Sequence, residues 1–311
     1  MAEKQTIGAG DFCRMFGVSP NELPEPFLSY LGRMDATYRE ADSEELKEYF
    51  LQVLKRINAQ DIRRTAEENL AAFEKGWREN LDALLSQGTS AENLKPRYFR
   101  PGKFLRYDRK LIVSRNPNLE YDLFTLARYL LFSGYLSSFE SIYEIGCGSC
   151  QNLFMLSELF PSKRMIGLDW APASTEIAKV LADSLKRPIE ATLFDMMSVS
   201  PAVEIEPGSA IMTIHALEQI GEGHEKLLSF LLNARPGIVL HYEPILEFYD
   251  EGDALDYLAF MYCRKRNYLS GFYTALLDRQ KRGEIQIVEA RRPFLGGVIH
   301  EASLIIWKPR F

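Results

Sequence analysis

The chain has 311 residues, 46% hydrophobic and 26% charged, which is enough apolar material for one large domain or two modest ones and too much for a disordered chain. Acidic residues outnumber basic ones, 43 to 37, and the formal net charge of −6 leaves no basic field for a nucleic-acid backbone or an anionic membrane. There is no run of about 20 apolar residues to span a bilayer, the start Met1-Ala2-Glu3-Lys4-Gln5-Thr6 lacks the features of a signal peptide, and four cysteines are too few for a disulfide framework, so a cytoplasmic protein with reduced thiols is expected.

Residues 21–87 are rich in helix formers, with apolar residues at helical spacing: Leu46, Tyr49, Phe50, Val53, Leu54 and Ile57. Asp42-Ser43-Glu44-Glu45 supplies a cap and an acidic first turn for the helix that follows. From Gln87 to Asn118 the pattern breaks: Pro96, Pro101 and Pro117 interrupt Arg97-Tyr98-Phe99-Arg100 and Phe104-Leu105-Arg106-Tyr107. Aromatic and basic residues in alternation can stack on single-stranded nucleic acid, but the acidic chain and the prolines favour a connector packed over the next domain. Residues 1–118 are therefore expected to form an N-terminal helical region with connector, which caps the following domain or makes a homodimer contact.

From Tyr121 onward helical stretches alternate with short β-branched runs, the α/β pattern, and residues 119–311 are expected to form one such domain. Candidate strands are Ser141 to Ile145, Arg164 to Leu168, Ile189 to Leu193, Ala210 to Ile214, Gly237 to His241, Ile285 to Glu289 and Ala302 to Trp307. The first five have helices between them. The last two are joined by Ala290 to Glu301, too short for a helical crossover, which predicts a hairpin and hence a seven-stranded, mostly parallel sheet with one antiparallel strand and helices on both faces.

The first strand runs into Glu144-Ile145-Gly146-Cys147-Gly148-Ser149-Cys150, a glycine-rich turn opening a helix. Glycine there tolerates positive φ and lets a ligand approach the backbone. By itself the turn leaves three readings open: a dinucleotide site, a thiol-exchange site at Cys147 and Cys150, and a site for S-adenosylmethionine. The third glycine of the dinucleotide fingerprint is missing, and Glu144 would repel a pyrophosphate but attract a cationic amino-acid ligand. Asp169 ends the second strand, where a carboxylate can accept from ribose hydroxyls; Asp195 follows the third, where it can accept from an adenine amino group, with Trp170 or Phe194 covering the ring. Three acidic residues at successive strand ends select S-adenosylmethionine among the three.

The segments Glu144 to Gly148, Gly167 to Trp170, Leu193 to Met196, Ser209 to Gln219 and Gly237 to Pro244 together resemble the successive motifs of the class I S-adenosylmethionine-dependent methyltransferases, over about residues 121 to 311. The resemblance implies a Rossmann-like domain in which Glu144, Gly146 and Gly148 shape the methionine pocket, Asp169 binds ribose and Asp195 contacts adenine. Asn152, Trp170, Phe194 and His215 are further candidates for the donor site. Cys150 departs from the pattern, standing where many members carry a third glycine.

For the acceptor, the fourth strand leads into His215 and Glu218, the fifth ends in His241 and Glu243, and the last hairpin carries His300 and Glu301. These histidines and carboxylates make a candidate polar site, with His215, Glu218, His241 and Glu243 in catalytic roles. Arg264 and Tyr268, in the stretch after Pro244, join Glu218, Glu243, His300 and Glu301 as candidate acceptor-binding residues. Ligand spacing does not suggest a metal site. The expected activity is methyl transfer to nitrogen or oxygen of a small polar metabolite, favouring an amine or guanidino amino acid such as arginine in specialised metabolism. The alternatives are O-methylation of a sugar or other hydroxyl, and a nucleotide-binding protein without chemistry.

Overall fold

Short apolar runs in the strands of the large sheet and apolar residues at helical spacing between them set the architecture of the computed structural model, which describes residues 4–199 and 203–310. Residues 1–3, 200–202 and 311 lie outside the described residues, and with them the outermost limits of the two expected regions. The strands are β1 (Gln5–Thr6), β2 (Thr37–Glu40), β3 (Phe104–Tyr107), β4 (Lys110–Ser114), β5 (Ser141–Ile145), β6 (Arg164–Asp169), β7 (Ile189–Leu193), β8 (Ala210–Ile214), β9 (Ile238–Glu243), β10 (Ile285–Arg291) and β11 (Ser303–Pro309). The helices are α1 (Ala9–Phe16), α2 (Glu25–Leu31), α3 (Ser43–Ile57), α4 (Ala66–Gln87), α5 (Ala91–Leu94), α6 (Leu119–Leu131), α7 (Gln151–Leu159), α8 (Pro172–Leu185), α9 (Glu225–Asn233), α10 (Ala254–Arg266) and α11 (Phe272–Lys281).

The last seven strands form one sheet in the order β10-β11-β9-β8-β5-β6-β7. Strands β5 to β9 are parallel, and β11 runs antiparallel to both β9 and β10. All seven expected strands are present, with ends within two residues of those expected. Side chains alternate between two cores: Ile142 and Met165 share one with α6, α7 and α8, whereas Tyr143, Ile145, Ile166 and Leu168 share the other with α9 and α11. Both faces are thus covered, as a parallel sheet requires. The strand order reverses beside β5, with β6 and β7 to one side and β8 and β9 to the other. A crevice beyond the carboxyl ends at such a switch point is where ligands bind in open α/β sheets.

The N-terminal part has the expected helices. Asp42 caps α3 by accepting from the amides of Glu44 and Glu45 at 3.0 and 2.9 Å, and Glu45 reaches back to the amide of Asp42 at 3.1 Å. It also contains a four-stranded antiparallel sheet, β1-β2-β4-β3, which the connector reading of residues 87–118 missed. The hairpin β3–β4 turns at Asp108 and Arg109, both left-handed with φ of 49° and 65°. Such a turn is ordinarily announced by asparagine or glycine, and this one carries neither. Phe12, Phe27, Leu81 and Leu84 lie in the same core as Leu123, Leu153 and Ile177, so the N-terminal elements pack directly on the large sheet's helical layer. Among the described residues no helix is long and apolar enough to cross a membrane.

Candidate active site

Beyond Ile145 the chain turns through Gly146 (φ 78°), Gly148 (φ 51°) and Cys150 (φ 58°) into α7. The two glycines are fixed by space as well as by dihedral. A Cβ on Gly146 would lie 2.4 Å from Cβ of Ala216, and one on Gly148 would lie 2.7 Å from Cζ2 of Trp77. Cys150 occupies the third left-handed position, at a strain of about 1–2 kcal/mol for a residue with a side chain. Its buried Sγ lies 3.3 Å from the carbonyl oxygen of Ser174 and 4.0 Å from Sγ of Cys147. The neighbouring Cys150 thiol and burial both push Cys147 well above the ordinary thiol range, the opposite of a reactive thiolate, so the thiol-exchange reading has no support here.

Register brings the acidic residues to one edge: Glu144 pairs with Gly167, and Asp169 pairs with Leu193, next to Phe194 and Asp195. Glu144, Asp169 and Asp195 all line a single cavity of about 660 Å³, a volume typical of small-molecule sites. Asp169 orders two loops at once, accepting from the amide of Gly148 at 2.7 Å and from that of Ala171 at 2.8 Å. Burial raises its pKa, and those two amides pull the other way. Asp195 accepts from the amide of Met197 at 2.9 Å. Glu144 is pushed up to about 8 by burial. Its Oε1 accepts from Asn152 at 2.6 Å, while its Oε2 is buried without a partner.

Arg128, on α6, was not among the expected residues. It is buried and lines the cavity, but its guanidinium meets only neutral groups: Gln151 at 3.0 Å, Asn152 at 2.9 Å and Thr125 at 2.9 Å, with Nε unpartnered. Asn152 thus bridges a buried cation and a buried acid, accepting from Arg128 and donating to Glu144. The signal was in the sequence, as Arg128 is a lone charge in the apolar stretch Leu126-Ala127-Arg128-Tyr129-Leu130-Leu131. The cavity's roof comes from the N-terminal helices and connector, with residues the sequence did not single out: Phe73 and Trp77 of α4 stack at 5.9 Å, and Tyr98 and Phe99 of the connector close against Trp77 and Phe124.

The candidate acceptor residues are only partly brought together. His215 lines the cavity in a left-handed conformation (φ 51°), with its ring 4.9 Å from that of Phe124 and its Nε2 unpartnered. Its Nδ1 faces Glu218 at 3.5 Å. Burial opposes the charged imidazole, but Glu218, with Glu243 and Glu120 beyond, raises its pKa above the ordinary value. For Glu218 burial is likewise the largest influence, yet His215, His300 and Arg266 bring it below the ordinary carboxylate value. Glu243 sits under the loop, accepting from the amide of Ala216 at 3.0 Å, and burial raises it to about 7.

Other expected site residues lie elsewhere. Phe194 turns into the core beneath α9, 5.4 Å from Phe230, because the strand's alternation points it away from the crevice. His241 is fully buried on that same side: its Nε2 accepts from Trp307 at 3.0 Å, its Nδ1 meets Thr213 at 2.9 Å, and burial lowers it to about 3. A ring so bonded is a neutral core histidine, not a base. Glu301 accepts from Arg106 at 3.0 Å and from Arg292 at 2.8 Å within an ion network that includes Asp256, and it is structural. Arg264 is exposed and lies over Phe260, whereas Arg266, two residues on, lines the cavity. Tyr268 and His300 pack with Tyr262 behind Arg266 and His215, outside the cavity lining, where burial lowers His300 to about 4. Among the described residues no group of histidine, cysteine and carboxylate side chains is placed to hold a metal ion.

No protein-family model matches the chain, nor does any curated protein. Solved structures with some likeness include an O-methyltransferase family 2 protein from Planctomyces limnophilus in complex with apigenin, 14% identical over 73% of this chain and 68% of that one (TM-score 0.42). Another is a geranyl diphosphate C-methyltransferase from Streptomyces coelicolor, 12% identical over 61% and 84% (TM-score 0.45). A third is a branched-chain polyamine synthase from Thermus thermophilus, 14% identical over 60% and 55% (TM-score 0.41). All three lie below a TM-score of 0.5, so function is read from the site itself.

Proposed function

We propose that this chain is a class I S-adenosylmethionine-dependent methyltransferase acting on a small polar molecule. The observation that carries the reading is the Arg128–Asn152–Glu144 relay beside the glycine turn, in line with Asp169 and Asp195 on one cavity wall. A buried cation lacking a carboxylate partner and a buried acid with an orphaned oxygen suit the two ends of a zwitterionic amino acid. A dinucleotide has no such end.

S-adenosylmethionine supplies, when bound, an electrophilic methyl group on a sulfonium centre. Glu144 would meet its ammonium, Arg128 its carboxylate, Asp169 the ribose hydroxyls through lone pairs left over from its two amide bonds, and Asp195 the adenine, with Trp170 against the ring. His215 is the proton acceptor for the attacking nitrogen or oxygen, its Nε2 free and its Nδ1 facing Glu218, which stabilises the imidazolium. Trp77, Phe99 and Phe124 exclude water and hold the acceptor in line. The support for a guanidino acceptor such as arginine is weaker, since neither Glu218 nor Glu243 is among the residues lining the cavity and Glu218 faces His215. Nitrogen and hydroxyl acceptors, a sugar among them, use the same base.

The test is incubation with donor and a small-metabolite pool, followed by mass spectrometry. Products heavier by one methylene, absent in His215→Ala, are expected. Donor binding without any methylated product would leave a nucleotide-binding protein.

A further inference from the structure

Charge is segregated by element in the lining of the cavity. Its acids, Glu144, Asp169 and Asp195, all stand at the strand ends, whereas its basic lining residues other than Arg128 come from other elements: Arg63 and Arg64, just before α4, and Arg266 at the end of α10. None of the three makes a direct ion pair among the described residues, in a chain with more acids than bases, although the Glu218 carboxylate acts on Arg266 at longer range. The nearest acid in sequence, Asp61, is already engaged by Arg56 at 2.7 Å. Arg266 is half-buried over the Tyr268 ring and donates to the carbonyl oxygen of Ile62 at 3.2 Å, which ties it to the residue preceding Arg63. The three arginines therefore lie close together in the lining of the cavity. Arginine is the side chain suited to forked contacts with carboxylate or phosphate oxygens, and unpaired like charges beside a cavity lose their mutual repulsion when an anion enters.

On the reading that the strand-end wall holds S-adenosylmethionine, we infer that the acceptor is an anion, a small molecule whose carboxylate or phosphate group is clamped by Arg63, Arg64 and Arg266 while its nucleophile faces His215. A cationic acceptor is disfavoured by the same arginines.

The test uses the full chain, with and without saturating S-adenosylhomocysteine, titrated calorimetrically at constant ionic strength with inorganic phosphate, succinate and arginine. Saturable binding of phosphate or succinate but not of arginine is expected, and the tighter of the two anions identifies the group. Arg63→Gln with Arg64→Gln, both exposed, should weaken that anion by at least about tenfold while leaving S-adenosylhomocysteine affinity unchanged; Arg266→Gln should do the same. Anion binding without S-adenosylhomocysteine binding would support the clamp and overturn the donor reading. S-adenosylhomocysteine binding with no saturable anion, or an anion affinity untouched by the double variant, would overturn the clamp alone.

Discussion

Glu144 is held protonated near neutrality by burial, at about 8, and an ammonium placed beside its orphaned oxygen favours the ionised form. Binding of an amino-acid end therefore expels a proton, so S-adenosylhomocysteine affinity should rise with pH from about 6 to about 8. Calorimetry in buffers of different ionisation heat reads that proton directly. Glu144→Gln should abolish both the release and the pH dependence, and an affinity flat across that range in the unaltered protein would remove Glu144 from the donor site. His215 gives a second titration. Its raised pKa predicts a kcat that climbs with pH through a value above the ordinary histidine pKa of about 6.5. Glu218→Gln removes a charge that raises it, so the rising limb should move to lower pH; a limb that stays in place would separate the two residues. The residues legible in the sequence were those whose place is set by the end of a strand: Glu144, Asp169, Asp195 and His215. Phe194 and His241 were misplaced because adjacency to a strand end does not say which face a side chain takes. Arg128 was passed over because α6 precedes the first strand of the large sheet and carries no motif.

At the scale of elements, the least expected piece is the hairpin β3–β4, which puts Arg106 into the interior. Arg106 donates to Glu301 at 3.0 Å and to the carbonyl oxygens of Leu255 and Ile299 at 2.8 and 2.9 Å, while Arg292 holds Asp256 at 2.5 and 2.6 Å and Glu301 at 2.8 Å. This network joins the N-terminal sheet, α10 and the segment entering β11. Removing one member of a buried ionic group leaves the others uncompensated, at about 3–5 kcal/mol. Glu301→Gln should therefore lower Tm by several degrees and leave S-adenosylhomocysteine affinity unchanged, measured by thermal and calorimetric titration. Loss of ligand affinity at unchanged Tm would return Glu301 to the acceptor site. Short apolar runs alternating with helical spacing revealed the seven-stranded sheet because its inner strands β5, β6, β8, β9 and β11 are buried over most of their length. The small N-terminal sheet escaped notice because β1 and β2 are short and the β3–β4 turn uses Asp108-Arg109 without a glycine.

Across the whole molecule, the large sheet supplies one rigid wall of the cavity and the N-terminal part supplies the roof, with Trp77 packed directly over the glycine turn. The α/β half was readable from alternating elements. A cap from the N-terminal region was expected as one of two possibilities, but the residues that form it were not readable, since a contact between α4 and the β5–α7 turn spans about seventy residues of sequence and leaves no local pattern. On the proposed function, this roofed cavity holds a nucleoside joined to an amino acid. Calorimetric titration with S-adenosylhomocysteine, repeated with NAD and with the Asp169→Ala variant, tests it most directly. One S-adenosylhomocysteine per chain, weaker or no NAD binding, and at least about a tenfold loss of S-adenosylhomocysteine affinity in Asp169→Ala are expected. No heat at millimolar S-adenosylhomocysteine, or tighter binding of NAD, would contradict it.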